Sequence, residues 1–177
     1  MGVLPSIRFV AAILFALYAA TAPVAQPVER LEGRVVGVHD GDTITVLDKH
    51  DRAYRVRLAG IDAPETGQPY GRAAKNALAR RVFDRWVRVE TTKFDHYGRI
   101  VGKVTENGRD VGRDQVTTGM AWWLQVFASE QSPEDQRDYA EAQTRARETR
   151  RGLWRDREPI PPWLWRREHP LREASPE

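Results

Sequence analysis

Cysteine is absent from the 177-residue chain. That absence excludes disulfides, thiolate zinc sites, iron–sulfur clusters, cysteine nucleophiles and thiol lipidation. Any metal must then be held by oxygen or by the four histidines. Lysine is scarce: Lys49, Lys75, Lys93 and Lys103 are the only ones, so 24 of the 28 basic residues are arginine. Arginine suits a planar grip on phosphate or carboxylate, although a GC-rich coding sequence produces the same bias. The net charge is only +3, from 28 basic and 25 acidic residues, which rules out a histone-like polycation. No internal repeat is visible. Long apolar runs are missing except for Phe9 to Ala20. One positive charge (Arg8), this run, and then small residues (Ala19, Ala20, Ala22, Ala25) have the build of a signal peptide. The run is short for a membrane span, but an uncleaved anchor fits the same pattern. Residues 1–25 are expected to be a signal peptide, cut after Ala22 or Ala25, with the rest exported to the periplasm or secreted.

What remains is one globular domain with a tail, at 41% hydrophobic and 30% charged residues. Residues 34–38 and 43–47 are short β-rich runs separated by Asp40-Gly41, a tight-turn signal. Residues 53–59 alternate, with Tyr54, Val56 and Leu58 on one face and Arg55 and Arg57 on the other. Further strands are expected at 87–92 and 99–105. Ala74, Leu78 and Val82 recur at helical spacing within an expected helix over 72–86. A short helix is expected at 111–118. A third opens at Ser132-Pro133, with Asp135 completing a variant capping box and Gly152 as its stop. Strands mostly first and helices later suit an α+β domain, and five short strands can close as an OB-fold β-barrel with about three helices. The expected division is 30–156 as the domain and 157–177 as a Pro/Trp/Arg-containing tail.

Charge is segregated along the chain. Residues 26–70 carry 6 basic and 8 acidic residues, net −2, whereas residues 72–88 carry 6 against 1, net +5. An acidic front with basic helices behind suits a metal pocket on a phosphate-attracting body, and also suits ordinary solvated helix faces.

Three clusters carry chemistry. In His39-Asp40-Gly41-Asp42-Thr43 a sharp turn brings two carboxylates together. The strand bearing Arg57 runs into a loop with Asp62, Ala63, Pro64 and Glu65. Phe94-Asp95-His96-Tyr97-Gly98-Arg99 reads as a turn that places an arginine at the start of a strand. Each alone is compatible with a plain hairpin or a salt-bridged loop. Together they offer carboxylates without thiols, and crowded carboxylates need a proton or a cation between them. Oxygen-only ligands indicate a hard cation, Ca²⁺ or Mg²⁺. Two arginines suit a phosphate that gains charge in a transition state. These are the parts for metal-assisted phosphodiester hydrolysis.

On Asp40-Gly41-Asp42-Thr43, Arg57-Leu58 with Asp62-Ala63-Pro64-Glu65-Thr66, and Asp95-His96-Tyr97-Gly98-Arg99, the chain resembles the staphylococcal nuclease family. Gly119-Met120-Ala121 and Gly152-Leu153-Trp154 echo later landmarks, so the resemblance runs from about Arg34 to Trp154. It implies an OB-fold barrel, a Ca²⁺ cofactor and a DNA or RNA substrate, with no stable protein partner and a monomeric chain. It implies Asp42 and Asp62 as side-chain ligands and the Ala63 carbonyl as a backbone ligand, where the family often has Thr. Asp40 and Thr43 would support those ligands from behind. Glu65 would orient or deprotonate the attacking water, and Arg57 and Arg99 would bind the scissile phosphate. Tyr97 would bond the terminal phosphate region, as would His96, where the family often places Lys. The products would carry 3′-phosphates. Trp122, Trp123 and Phe127 are candidates for base stacking. Two other functions fit the same sequence: a non-catalytic nucleic-acid-binding module on this barrel, and a cell-envelope protein docking on a membrane or partner through Pro161-Pro162-Trp163-Leu164-Trp165.

Overall fold

The computed structural model describes residues 30–170. The expected signal peptide therefore lies outside the described residues. In chain order the elements are β1 (Arg30–Val38), β2 (Thr43–Asp48), β3 (Ala53–Leu58), β4 (Ile61–Asp62), α1 (Gly71–Val82), β5 (Trp86–Phe94), β6 (Ile100–Glu106), β7 (Arg109–Asp110), α2 (Val111–Thr117), β8 (Trp122–Trp123), α3 (Pro133–Glu148) and α4 (Pro162–Glu168). 3-10 turns cover Gln125–Glu130, which is kinked at Phe127, and Gly152–Arg155.

Five long strands form the barrel. Their order is β3-β2-β1-β5-β6, and β6 returns to pair in parallel with β3. Closure leaves this sheet without a free long edge. Period-two alternation sorts each strand: Leu31 and Val35 point inward, while Glu32 and Arg34 point out. Val46, Val56, Leu58, Val89, Ile100 and Val104 fill the interior. Ala74, Leu78 and Val82 of α1 join that core, as do Val111 and Val116 of α2 and Tyr139 of α3. Burying one side chain such as Leu78 contributes about 1.5–3 kcal/mol.

The helix expected over 72–86 stops at Val82. Phe83 is extended and Asp84 has φ 61°, which turns the chain so that Trp86 opens β5 opposite Arg34. In α3 the Ser132 hydroxyl accepts from the Asp135 N–H at 3.1 Å, but the Asp135 carboxylate goes to Lys103 at 2.6 Å and leaves the capping box half made. The helix also ends before Gly152. Arg150 takes φ 48°, its N–H reaches Arg147 O and the Arg151 N–H reaches Ala146 O at 2.9 Å, a complete Schellman close. Gly152 opens the following 3-10 turn instead.

Candidate active site

The turn between β1 and β2 builds the first wall. The Asp42 N–H donates to Asp40 Oδ1 at 2.9 Å, and the His39 N–H to Thr43 O at 2.9 Å. The Thr43 hydroxyl donates to Asp42 Oδ1 at 2.9 Å, and the Ala63 N–H to Asp42 Oδ2 at 3.0 Å. Asp42 is thereby fixed from two sides. Gly41 is required by space: a methyl there would lie 2.5 Å from the Ala63 Cβ and 2.7 Å from the Ala74 Cβ. Gln115 of α2 holds the turn from beneath, donating to Gly41 O at 2.8 Å and Ala74 O at 3.2 Å.

β3 delivers Arg57, which pairs in register with Thr43. Its Nη2 reaches Asp62 Oδ1 at 3.0 Å and lies 3.5 Å from Asp42 Oδ2, while Nη1 donates to Ile61 O at 3.2 Å. Asp62 sits on β4, paired with Trp122 of β8. Glu65 follows in a loop, where its N–H donates to Gln68 Oε1 at 3.1 Å and its carbonyl accepts from the Gln68 N–H at 2.8 Å. Gly71 lets α1 start against this loop, since a methyl there would meet Glu65 O at 1.8 Å.

A second arginine completes the cluster, and no local sequence pattern signals it. Arg166 of α4 donates from Nη2 to Asp62 Oδ2 at 2.7 Å and from Nη1 to Glu65 Oε1 at 2.7 Å, with Asp62 Oδ1 at 3.2 Å. The residues brought together are thus Asp40, Asp42, Thr43, Arg57, Asp62, Ala63 and Glu65, plus Arg166. Gln68 and Gln115 likewise carry no local signal, because a lone glutamine does not announce which distant backbone it will hold.

The third sequence cluster stands apart. Arg99 donates from Nε to Asp95 Oδ2 at 2.7 Å and from its backbone N–H to Asp95 Oδ1 at 2.9 Å. Its guanidinium carbon lies 5.3 Å from the Tyr97 ring centre, and the His96 and Tyr97 rings are 3.7 Å apart. Among the described residues no hydrogen bond or ion pair ties Arg99, His96 or Tyr97 to Asp42, Asp62 or Glu65. The register places Val101 opposite Arg57, and Arg99 lies two residues before Val101, immediately ahead of β6, on the strand next to the one that carries Arg57. Of the three stacking candidates, Trp122 is buried against Trp154 at 4.3 Å and Trp123 donates to Gln131 Oε1 at 2.8 Å. Phe127 alone among them is exposed, beneath the Lys93 ammonium.

Electrostatics set the site apart. Burial, and then the neighbouring Asp42 charge, push the Asp40 carboxyl up to about 6. Burial also raises Asp62, against the opposing pull of Arg166 and Arg57. The pocket is short of positive charge. Its donors are oxygens, without thiol or imidazole, which fits a hard divalent cation held by Asp42, Asp62 and the Ala63 carbonyl. Among the described residues no three His, Asp or Glu side chains converge as they stand to cage a metal.

Sequence comparison agrees with this geometry. The family profile described as staphylococcal nuclease homologue matches residues 55–156. An uncharacterized endonuclease of Escherichia coli is 40% identical over 137 residues, covering 77% of this chain and 85% of the relative. A micrococcal nuclease of Shigella flexneri is 40% identical over 144 residues, covering 76% and 80%. An uncharacterized endonuclease of Haemophilus influenzae is 36% identical over 141 residues, covering 80% and 76%.

Proposed function

The chain belongs to the staphylococcal nuclease homologue family, and from that premise we propose that it is an exported, calcium-dependent endonuclease that hydrolyses DNA or RNA phosphodiesters. The observation that carries this reading is the Asp42–Arg57–Asp62 contact set beside Glu65: buried oxygen donors and a guanidinium at one edge of a closed barrel.

In this reading Asp42, Asp62 and the Ala63 carbonyl hold the cation, with Asp40 and Thr43 bracing Asp42. A bound cation would polarise the phosphate and offset the charge it gains in the transition state. Arg57 keeps donors to spare, since three of its five N–H groups have no partner in the hydrogen bonds just given. Those donors, with those of Arg99, grip the equatorial phosphate oxygens. Glu65 Oε1 is engaged by Arg166, so Oε2 is the atom that would orient the attacking water and take its proton. His96 and the exposed Tyr97 flank Arg99 and would meet the phosphate beyond the scissile one. Attack of water with breakage of the P–O5′ bond, the leaving 5′-oxygen taking a proton, would leave 3′-phosphate and 5′-hydroxyl ends. Export rests on the residue 1–25 pattern.

The test is direct. Purified chain lacking residues 1–25 is incubated with plasmid DNA and with RNA, in calcium or in EGTA, and the product ends are analysed. Calcium-dependent cutting with 3′-phosphate ends supports the proposal. Full-rate cutting in EGTA would refute the metal assignment, and binding without cutting would favour the non-catalytic module.

A further inference from the structure

The segment after the last landmark, Trp154, folds back over the candidate site. Gln68, whose side chain is set by Glu65, donates from Nε2 to Ile160 O at 2.6 Å. Tyr70 reaches Asp156 at 3.4 Å, and Trp163 stands edge-on to Trp122 at 5.6 Å. These contacts lead the chain into α4, whose Arg166 bridges Asp62 and Glu65. The Asp62 carboxylate is then almost wholly covered, with the residue 2% exposed, whereas the Arg166 side chain lies outside it and is 45% exposed. A cation arriving from solvent meets Arg166 first. Asp62 Oδ2 and Glu65 Oε1 are both taken by its guanidinium, so a cation can claim Asp62 Oδ2 only by breaking that bond.

The seat of this segment is shallow. Within α4 only Pro162 is buried, and Trp163 and Leu164 stay partly exposed. A cavity of about 90 Å³ remains under the segment, lined by Pro159 and Ile160 together with Pro64, Tyr70 and Trp122. Few buried contacts and incomplete packing mark the low-stability end of a structure, where local opening is cheap. A guanidinium held by two carboxylates is the strongest feature of the seat, and it is the feature a divalent cation would compete with.

We infer that α4 is a displaceable cover on the candidate metal site, in which Arg166 supplies the missing positive charge until a divalent cation takes its place. The inference rests on the calcium reading proposed above and adds a regulation of that same site. Calcium binding and undocking of α4 are then one coupled equilibrium. The cover lowers apparent calcium affinity by the fraction of molecules that are open.

The test compares wild-type chain with Arg166→Ala, both carrying the full tail, by calorimetric titration with CaCl₂ and by amide hydrogen exchange. A thermal melt confirms that the variant is folded. With about a tenth of wild-type molecules open, Arg166→Ala should bind calcium roughly tenfold more tightly. Amides of residues 163–168 in wild-type protein should exchange faster once calcium is added. Equal or weaker calcium binding by the variant, with exchange in α4 unchanged by calcium, would overturn the cover while leaving the metal site intact. No calcium binding by either protein would overturn the metal assignment and the competition together.

Discussion

Two sets of carboxylates lie on this barrel, and they are built oppositely. Behind β6, five acids (Glu106, Asp110, Asp114, Asp135 and Asp138) face five cations (Arg81, Arg85, Lys103, Arg109 and Arg113). At the candidate site, among the described residues, Asp42, Asp62 and Glu65 pair with Arg57 and Arg166 alone, and Asp40 lies beside Asp42. In the first set the hydrogen bond from Arg81 leads the effects that hold the Glu106 carboxyl below its usual range. In the second, burial wins and raises Asp40 and Asp62. A balanced network ties α2 and α3 to the barrel. An acidic excess carries a cost to the fold, and such costs concentrate at functional sites.

The largest effects that sharpen this contrast are catalytic. Arg57→Ala and Arg99→Ala should each lower the cleavage rate by about 10²–10³, the loss typical of one transition-state charge contact. Near-normal plasmid cutting by Arg99→Ala would remove it from the machinery. Next come losses of stability in the balanced set. Tyr139 is buried and donates to Asp110 at 2.9 Å, while Asp110 caps α2 through the Arg113 N–H. Tyr139→Phe should cost about 1–1.5 kcal/mol in urea unfolding, with cleavage retained. A smaller, graded effect is acid sensitivity. Burial would raise the Asp48 carboxyl, but its bonds from Arg52 and His50 hold it down at about 2, and Glu106 is also lowered. Groups with depressed folded pKa add stability above their unfolded values, and lose it as pH falls through the folded ones. Melting temperature should thus drop between about pH 4.5 and pH 2. A flat profile there would mean these pairs contribute nothing. Smallest is Asp40→Asn, which removes a penalised charge and should raise stability by about 0.5–1 kcal/mol at pH 8 without calcium.

Much of this was legible in the sequence because it is local. The alternation over 53–58 fixed which face Arg57 occupies, and the Asp-Gly-Asp turn joined the Asp62 loop across the β2–β3 register. The barrel followed from five β-rich runs, while its parallel β3–β6 closure is visible only in the fold. Helix ends were misplaced where a non-glycine residue adopts a left-handed conformation, at Asp84 and Arg150, because composition does not signal that choice. Arg166 was hidden for another reason. It lies 104 residues from Asp62 in a Pro-rich segment, and only tertiary folding joins them.

One chemical change made at two places tests the contrast most directly. Glu65 and Glu106 differ in setting, with side chains 38% and 5% exposed. Glu65→Gln and Glu106→Gln are measured side by side for thermal stability and for plasmid cleavage at 25 °C. Glu65→Gln should melt within about 2 °C of wild type and lose at least about 10² in cleavage. Glu106→Gln should lose about 2 kcal/mol, or roughly 6 °C, and cut within about twofold of wild type. The opposite pattern, with Glu65→Gln active and Glu106→Gln inactive though folded, would contradict the division of this molecule into structural and functional carboxylates.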